Sequence, residues 1–345
     1  MMLQYNELAS DLARIRRFLA SISETRQDSD QRRFAYIACI SALYSSFENF
    51  AERVAFRFGQ MLLANPANCS AGQISSLRRR YVRNASTLLG QNLGSGRYQG
   101  VTELDVARSL ASCLDESTPL VDLRLELIAL HSSNLRLSSL AELFRWAVPD
   151  LESRILHSDS VEHWMSHTVD VSASTLAGVL ENELDDLVER RNEVAHRAIP
   201  DEILSYGHLL SKVRFIEAVS LGLVASLAGT LMEVLVKNGE SVPLGIPTDY
   251  YRGSRIAVIP SLGSPISEGD CVLAVGAKST RWGRVMEIRI ADKQVTEAPV
   301  GAEVGLLLDF AVPRKVDIHL WRTPDSDLAS LPDGIFGSRG PFDVT

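Results

Sequence analysis

Arg191-Asn192-Glu193-Val194-Ala195-His196 closes a long amphipathic stretch, Leu176 to Arg197, just ahead of Pro200. Apolar residues at helical spacing, with a proline past the last turn, predict a helix that ends here. At roughly 100° per residue, Asn192 and His196 share one helical face. Arg191 sits one position round, with a side chain long enough to reach the same cleft. A guanidinium, an amide and an imidazole converging on one spot can hold a phosphodiester and move its protons. The spacing is common by itself, because Arg and His at a helix C-terminus also serve the last carbonyls and the helix dipole. Its meaning depends on the surroundings.

Those surroundings are helical in both directions. Toward the N-terminus, residues 5–22 carry Leu8, Leu12, Ile15, Phe18 and Leu19 at helical spacing. After a polar interval, Arg33 to about Leu63 is richly apolar, through Ile37, Ile40, Tyr44, Phe47 and Val54, and Asn65-Pro66 ends it. Gly90, Gly94, Gly96 and Gly100 mark a loop that is no phosphate-binding P-loop, since no Gly-Lys-Ser/Thr follows. Helical patterning resumes over Glu103–Cys113 and Leu120–Ala129, and Ser138-Ser139-Leu140-Ala141-Glu142 starts a helix leading to Trp146. A last helix is expected over Asp201–Val236. Its apolar part holds Ser220, Gly222, Ser226, Gly229 and Glu233, and so reads as a core helix rather than a membrane span.

A chain of 345 residues can bury two cores. Its formal charge of −8 supplies no global attraction for nucleic acid, so any RNA contact must be local. Arg78, Arg79, Arg80 and Arg83, and the Arg14, Arg16, Arg17, Arg32 and Arg33 clusters, are the candidates, although each also reads as a solvated helix face. Cys39, Cys69, Cys113 and Cys271 have neither metal nor disulfide spacing. His163 and His167 lie four apart, but Trp164 stands where a zinc-peptidase helix has its glutamate, and there is no obvious third ligand. No metal or cofactor is expected. The opening residues lack an apolar signal core, and a reducing cytoplasm is the expected location.

An all-α domain with Arg-Asn-x-x-x-His near the end of its penultimate long helix resembles the HEPN superfamily, the higher eukaryote and prokaryote nucleotide-binding domains. Two further segments are similar to one prokaryotic branch: Tyr44-Ser45-Ser46-Phe47-Glu48-Asn49-Phe50 as an aromatic–acid pair in an early helix, and Ser133-Asn134-Leu135-Arg136-Leu137 as a mid-domain Asn-Leu segment. The resemblance covers roughly residues 5–237. It implies a metal-independent ribonuclease, often a toxin or antiviral effector, with the motif presented twice across a homodimer. RNA cleavage by its own 2′-OH needs one group to take a proton and another to protonate the leaving 5′-oxygen, and imidazole suits both near neutral pH. His196 is then the acid/base and Arg191 the stabiliser of transition-state charge. Asn192 holds a phosphate oxygen or fixes the imidazole tautomer. Glu48 is a supporting candidate, with Arg191 as a possible partner, although a flank carboxylate paired elsewhere or solvated is the plainer reading.

Beyond Lys237-Asn238-Gly239 the pattern turns to short β-rich runs: Arg255–Ile259, Cys271–Val275, Gly283–Ile290, Val304–Phe310 and Val316–Trp321. The Glu268-Gly269-Asp270 turn feeding a strand, and Ala298-Pro299-Val300-Gly301-Ala302-Glu303-Val304-Gly305-Leu306, resemble domain II of translational GTPases over about residues 254–322. That likeness implies a small β-barrel and a surface for tRNA, structured RNA or the ribosome, for which Arg281, Trp282, Arg284 and Arg289 are the candidates.

The sequence therefore predicts an α + β, two-domain protein. A HEPN-like helical bundle spans residues 1–237, a linker 238–253, a β-barrel 254–323 and a loosely ordered tail 324–345. The expected partners are RNA (tRNA, mRNA or ribosomal), a second copy of the chain, and an antitoxin or defence-system protein, with no membrane. The competing readings are a non-catalytic HEPN module that docks a protein or nucleotide, and an antitoxin or immunity component.

Overall fold

The computed structural model describes residues 1–23, 28–115, 123–131, 134–168, 176–196, 202–276 and 280–322. Its helices are α1 (Met2–Ser23), α2 (Ser29–Leu63), α3 (Ala71–Leu89), α4 (Glu103–Leu114), α5 (Leu125–Ile128), α6 (Leu137–Phe144), α7 (Leu151–Leu156), α8 (Asp159–Thr168), α9 (Leu176–His196) and α10 (Tyr206–Lys237). An antiparallel sheet region follows them. Two compact units result: one of Met1, Leu3–His157 and Val161–Val224, the other of Met2, Ser158–Ser160 and the chain from Ala225 onward.

The long helices start where side chains meet their first free N–H groups. Asp28 accepts from the Gln31 N–H at 2.8 Å while Gln31 reaches back to the Asp28 N–H, and Ser70/Gln73 and Thr102/Asp105 repeat this box at α3 and α4. α10 begins at Tyr206, later than the patterning suggests, because Ser205 Oγ accepts from the His208 N–H at 3.4 Å. The start of the expected 120–129 helix, Arg197, Pro200, Asp201 and the tail 324–345 lie outside the described residues; α5 itself begins at Leu125.

α2 is the spine of the helical unit. Tyr36, Leu43, Tyr44, Phe47 and Phe58 along it are buried, and Phe58 meets Phe144 edge-on at 6.2 Å between ring centroids. α9 buries Leu180, Leu184, Leu187 and Val188 at helical spacing, so its fully buried face ends before the last turn. α10 is long and apolar enough to cross a bilayer by length and composition, but 78% of its most apolar window is buried inside the protein, as a core helix requires.

The strands are β1 (Val242–Gly245), β2 (Asp249–Tyr251), β3 (Ile256–Ile259), β4 (Ile266–Ser267), β5 (Cys271–Val275), β6 (Thr280–Ile290), β7 (Lys293–Val295), β8 (Glu297–Ala298), β9 (Val304–Leu308) and β10 (Asp317–Trp321). They pair in the order β1-β10-β5-β6-β9-β3-β2, with β7 against the end of β6, and β4 with β8 in a small second sheet. The long β6 is shared: Thr280–Arg284 pairs with β5 and Val285–Arg289 with β9, with a register shift between Val285 and Glu287 where the strand bends. Ala291 and Asp292 both take positive φ and turn β6 into β7 as a two-residue hairpin. Leu244, Val272, Ala274, Ile288, Leu306 and Ile318 fill the core of this unit.

Two expectations need correction here. The sheet is not closed into a barrel: its path ends on β1 and β2, which do not pair with each other. β1 also carries Pro243, without an N–H to give, and a register shift before Gly245. The stretch 238–253, read as a linker, contains both of these strands. Gly263 packs against β1 so closely that a Cβ there would lie 2.6 Å from the Pro243 carbonyl oxygen.

Candidate functional site

The last turns of α9 meet α2 and the segment leading into α6. Asn134 donates from Nδ2 to Asn192 Oδ1 at 2.7 Å, and Arg191 Nη1 donates to the same oxygen at 3.2 Å. The Arg191 guanidinium carbon lies 5.3 Å from the centroid of the Tyr44 ring, a cation–π contact that holds the charge over an aromatic face. Tyr44 is buried, and its hydroxyl accepts from the Leu135 N–H at 2.9 Å while facing Glu48 Oε1 at 3.3 Å and Asn134 Oδ1 at 3.4 Å. Burial pushes the Tyr44 phenol up to about 12; the Leu135 N–H and Arg191 act against this and Glu48 with it, so the phenol stays protonated and available as a donor.

This arrangement fixes Arg191 and Asn192 from below. The imidazole of His196, the final residue of α9, is exposed and makes no side-chain hydrogen bond or ion pair to any described residue. One helix end thus carries an anchored cation and, five residues further on, an exposed imidazole. Glu48 does not pair with Arg191 as anticipated: it faces the Tyr44 hydroxyl and lies 3.7 Å from His131 Nε2. Tyr44 is interposed between them, one helical turn before Glu48 on α2.

His131 and Glu52 escaped the sequence reading. His131 Nε2 lies 2.7 Å from Glu52 Oε1, with the imidazole largely buried, and Glu48, Glu52 and His131 together are near enough to share an ion. The direct imidazole–carboxylate bond already satisfies both groups. Glu52 and His131 are 79 positions apart, and no spacing rule joins them. Arg190 was also missed. It bonds Asp186 at 3.0 Å and the Tyr36 hydroxyl at 3.3 Å, while Lys212 bridges Glu183 and Asp186 at 2.6 Å each, so the helix before the motif is locked into the unit by charge pairs.

The arginines expected to meet RNA divide sharply. Arg79 and Arg83, one turn apart on α3, are exposed. Arg80, rotated from them, is 6% exposed and gives its guanidinium to the carbonyls of Ile128 (3.0 Å), Glu142 (2.8 Å) and Leu130 (3.2 Å), so it is a structural residue. Arg78 is half-buried and donates to the Cys113 carbonyl at 2.9 Å. In the sheet unit Trp282 is 5% exposed, paired with Leu273 on the face of β6 turned away from the Val272–Ala274 core, and this burial removes it as a stacking platform. Arg281 is ion-paired with Asp159, Arg284 is exposed and donates to the Gly269 carbonyl at 3.2 Å, and Arg289 is exposed and bonds Glu287 at 2.5 Å. His163 and His167 stack at 4.3 Å between ring centroids, and among the described residues no acidic or thiol ligand group includes them.

Comparison with known families settles the helical region. A model described as RiboL-PSP-HEPN matches residues 6–228. The chain belongs to the RiboL-PSP-HEPN family. The match takes in α1 to α9 and most of α10, and with them every residue of the Arg191 site. It stops short of the strands, so the sheet lies outside the HEPN assignment and nothing ties it to domain II of translational GTPases. No curated protein matches the chain.

Proposed function

We propose that this HEPN protein is a metal-independent endoribonuclease. The observation that carries the reading is the contrast within one helix end: Arg191 held by Tyr44 and Asn192, and His196 exposed five residues further on. Transition-state stabilisation favours a charge held in place before reaction, whereas proton transfer needs an imidazole that can reach its substrate. In the proposed reaction the RNA 2′-oxygen attacks the adjacent phosphorus as an imidazole takes its proton. Arg191 offsets the charge gathering on the phosphoryl oxygens. The 5′-oxygen leaves with a proton, giving a 2′,3′-cyclic phosphate and a 5′-hydroxyl. One imidazole per chain supplies one proton carrier, so a homodimer that brings two copies of α9 together provides both the base and the acid.

Such an activity suits a toxin or defence effector acting on tRNA, mRNA or ribosome-associated RNA. A target surface on the sheet unit, of the RNA-binding kind that its sequence likeness to domain II of translational GTPases suggests, belongs to the same proposal, with Arg284 and Arg289 among its exposed cations. The test is growth and RNA integrity on induced expression of wild type, His196→Ala and Arg191→Ala, with sedimentation of each purified protein. The reading expects a dimer throughout and RNA loss with wild type alone. Equal RNA loss with the folded, dimeric His196→Ala protein would sink it.

A further inference from the structure

The exposed arginines of α3 belong to a feature that the Arg191 site does not use. Ser76, Arg79, Arg80, Arg83, Glu142 and Arg145 line an open cleft of about 400 Å³ in the helical unit. A second cleft of about 540 Å³ shares Arg80, Arg83 and Glu142 and continues past Gln91, Ser138 and Ser139 to His131.

Charge is unbalanced where the clefts join. Glu142 lies 3.1 Å from Arg145, 3.5 Å from Arg83 and 4.0 Å from Arg80, so one half-exposed carboxylate serves three guanidiniums while Arg79 adds a fourth. This local excess of cations stands on a chain of formal charge −8. Arg80 registers the crowding: burial first, and the Arg83 charge second, bring it down to about 10 against the pull of Glu142. A bound anion would relieve that repulsion. Serine hydroxyls and the Gln91 amide farther along are neutral groups of the kind that meet phosphate and ribose. At the far end His131 is tied to Glu52 and sits near Glu48, whose other neighbour is the Tyr44 hydroxyl beneath Arg191. The carboxylates there disfavour phosphate, so the anion seat is the Arg79–Arg83–Arg145 end.

We propose that this cleft is a phosphate track for single-stranded RNA. Identification of the anion as RNA rests on the ribonuclease reading. A single strand fits because its backbone can follow a narrow basic groove while its bases turn to the open side.

The test uses the full chain carrying His196→Ala, so that RNA is bound and not cut. Fluorescence anisotropy of a labelled single-stranded oligoribonucleotide is followed across a salt series. Arg79→Ala and Arg145→Ala should each weaken binding about 3- to 10-fold, and the double variant should lower the slope of log K against log salt by about 1.4, near 0.7 per lost phosphate contact. Glu142→Gln should tighten binding, which loss of a merely structural contact would not do. Melting curves matching the parent establish that the variants are folded. Unchanged affinity and slope in the folded double variant would overturn the proposal, as would competition by AMP as effective, mole for mole, as unlabelled RNA. Binding with this signature by a wild-type protein that never cuts RNA would keep the track and discard the ribonuclease reading; cutting by wild type with unchanged binding in the variants would do the reverse.

Discussion

Adjacent arginines on α3 should respond in opposite ways to the same substitution. Arg80→Ala leaves the carbonyls of Ile128, Leu130 and Glu142 without the donors that now reach them at 2.8–3.2 Å. A hydrogen bond from a charged donor is worth about 1.5–3 kcal/mol, and a buried acceptor left unsatisfied costs a similar amount. The three losses are not additive, and removing a buried guanidinium also recovers its own desolvation cost. A net destabilisation of about 3–5 kcal/mol follows, or a fall in melting temperature of roughly 6–20 °C for a unit of this size. Arg79→Ala, at an exposed position one residue away, should stay within about 0.5 kcal/mol of wild type. Thermal and urea unfolding followed by helical circular dichroism make the comparison directly. A loss below about 1 kcal/mol for Arg80→Ala, or equal losses for both, would show that Arg80 is not what pins the α5–α6 segment. The outcome reaches the site, because that segment carries His131 and Asn134.

Other predictions follow from single contacts. Asn134→Ala frees Asn192 and removes one of the two donors on its oxygen; we expect kcat for RNA cleavage to fall about 5- to 30-fold with KM little changed, measured by steady-state kinetics on a labelled RNA. Tyr44 has a folded-state pKa raised from its ordinary value of 10 to about 12, so it contributes stability that is complete below pH 10 and is lost as pH rises toward 12. Denaturant unfolding across that window should therefore show a shallower alkaline decline for Tyr44→Phe, from a lower starting stability because the Leu135 N–H loses its acceptor; an unaltered decline would contradict the assignment. Gly263→Ala sets a Cβ against the Pro243 carbonyl oxygen, a backbone atom that cannot swing away, and should cost about 2 kcal/mol or more in unfolding of the sheet unit. Retained stability at that position would mean that β1 can shift.

What could be read from the sequence was whatever depends on local periodicity. The apolar spacing of α2, α9 and α10 predicted a helical N-terminal region, and the alternation in β3, β5, β6, β9 and β10 predicted a strand-rich remainder. Arg191, Asn192 and His196 were legible because they stand on one helix end. The strands β1 and β2 were not, because they are three or four residues long and are held by partners distant in sequence rather than by a pattern of their own. Closure of a sheet depends on its outermost strands, so the barrel expectation failed at these two elements. The burial of Arg80 was equally illegible: the carbonyls that satisfy it come from residues 48 to 62 positions away. The same holds for His131 and Glu52. Asn134, and Tyr44 as more than a core aromatic, were noticed only through resemblance to the family; Tyr44 bonds Asn134, which in turn bonds Asn192.

The account turns on His196, and the most direct test is the chemistry of the RNA ends. Purified wild-type and His196→Ala proteins would be incubated with tRNA and mRNA in EDTA and the products analysed for their termini. The account predicts 2′,3′-cyclic phosphate and 5′-hydroxyl ends with wild type and intact RNA with His196→Ala. Cyclic-phosphate ends produced equally by the His196→Ala protein, or wild-type products bearing 3′-hydroxyl and 5′-phosphate ends, would contradict it.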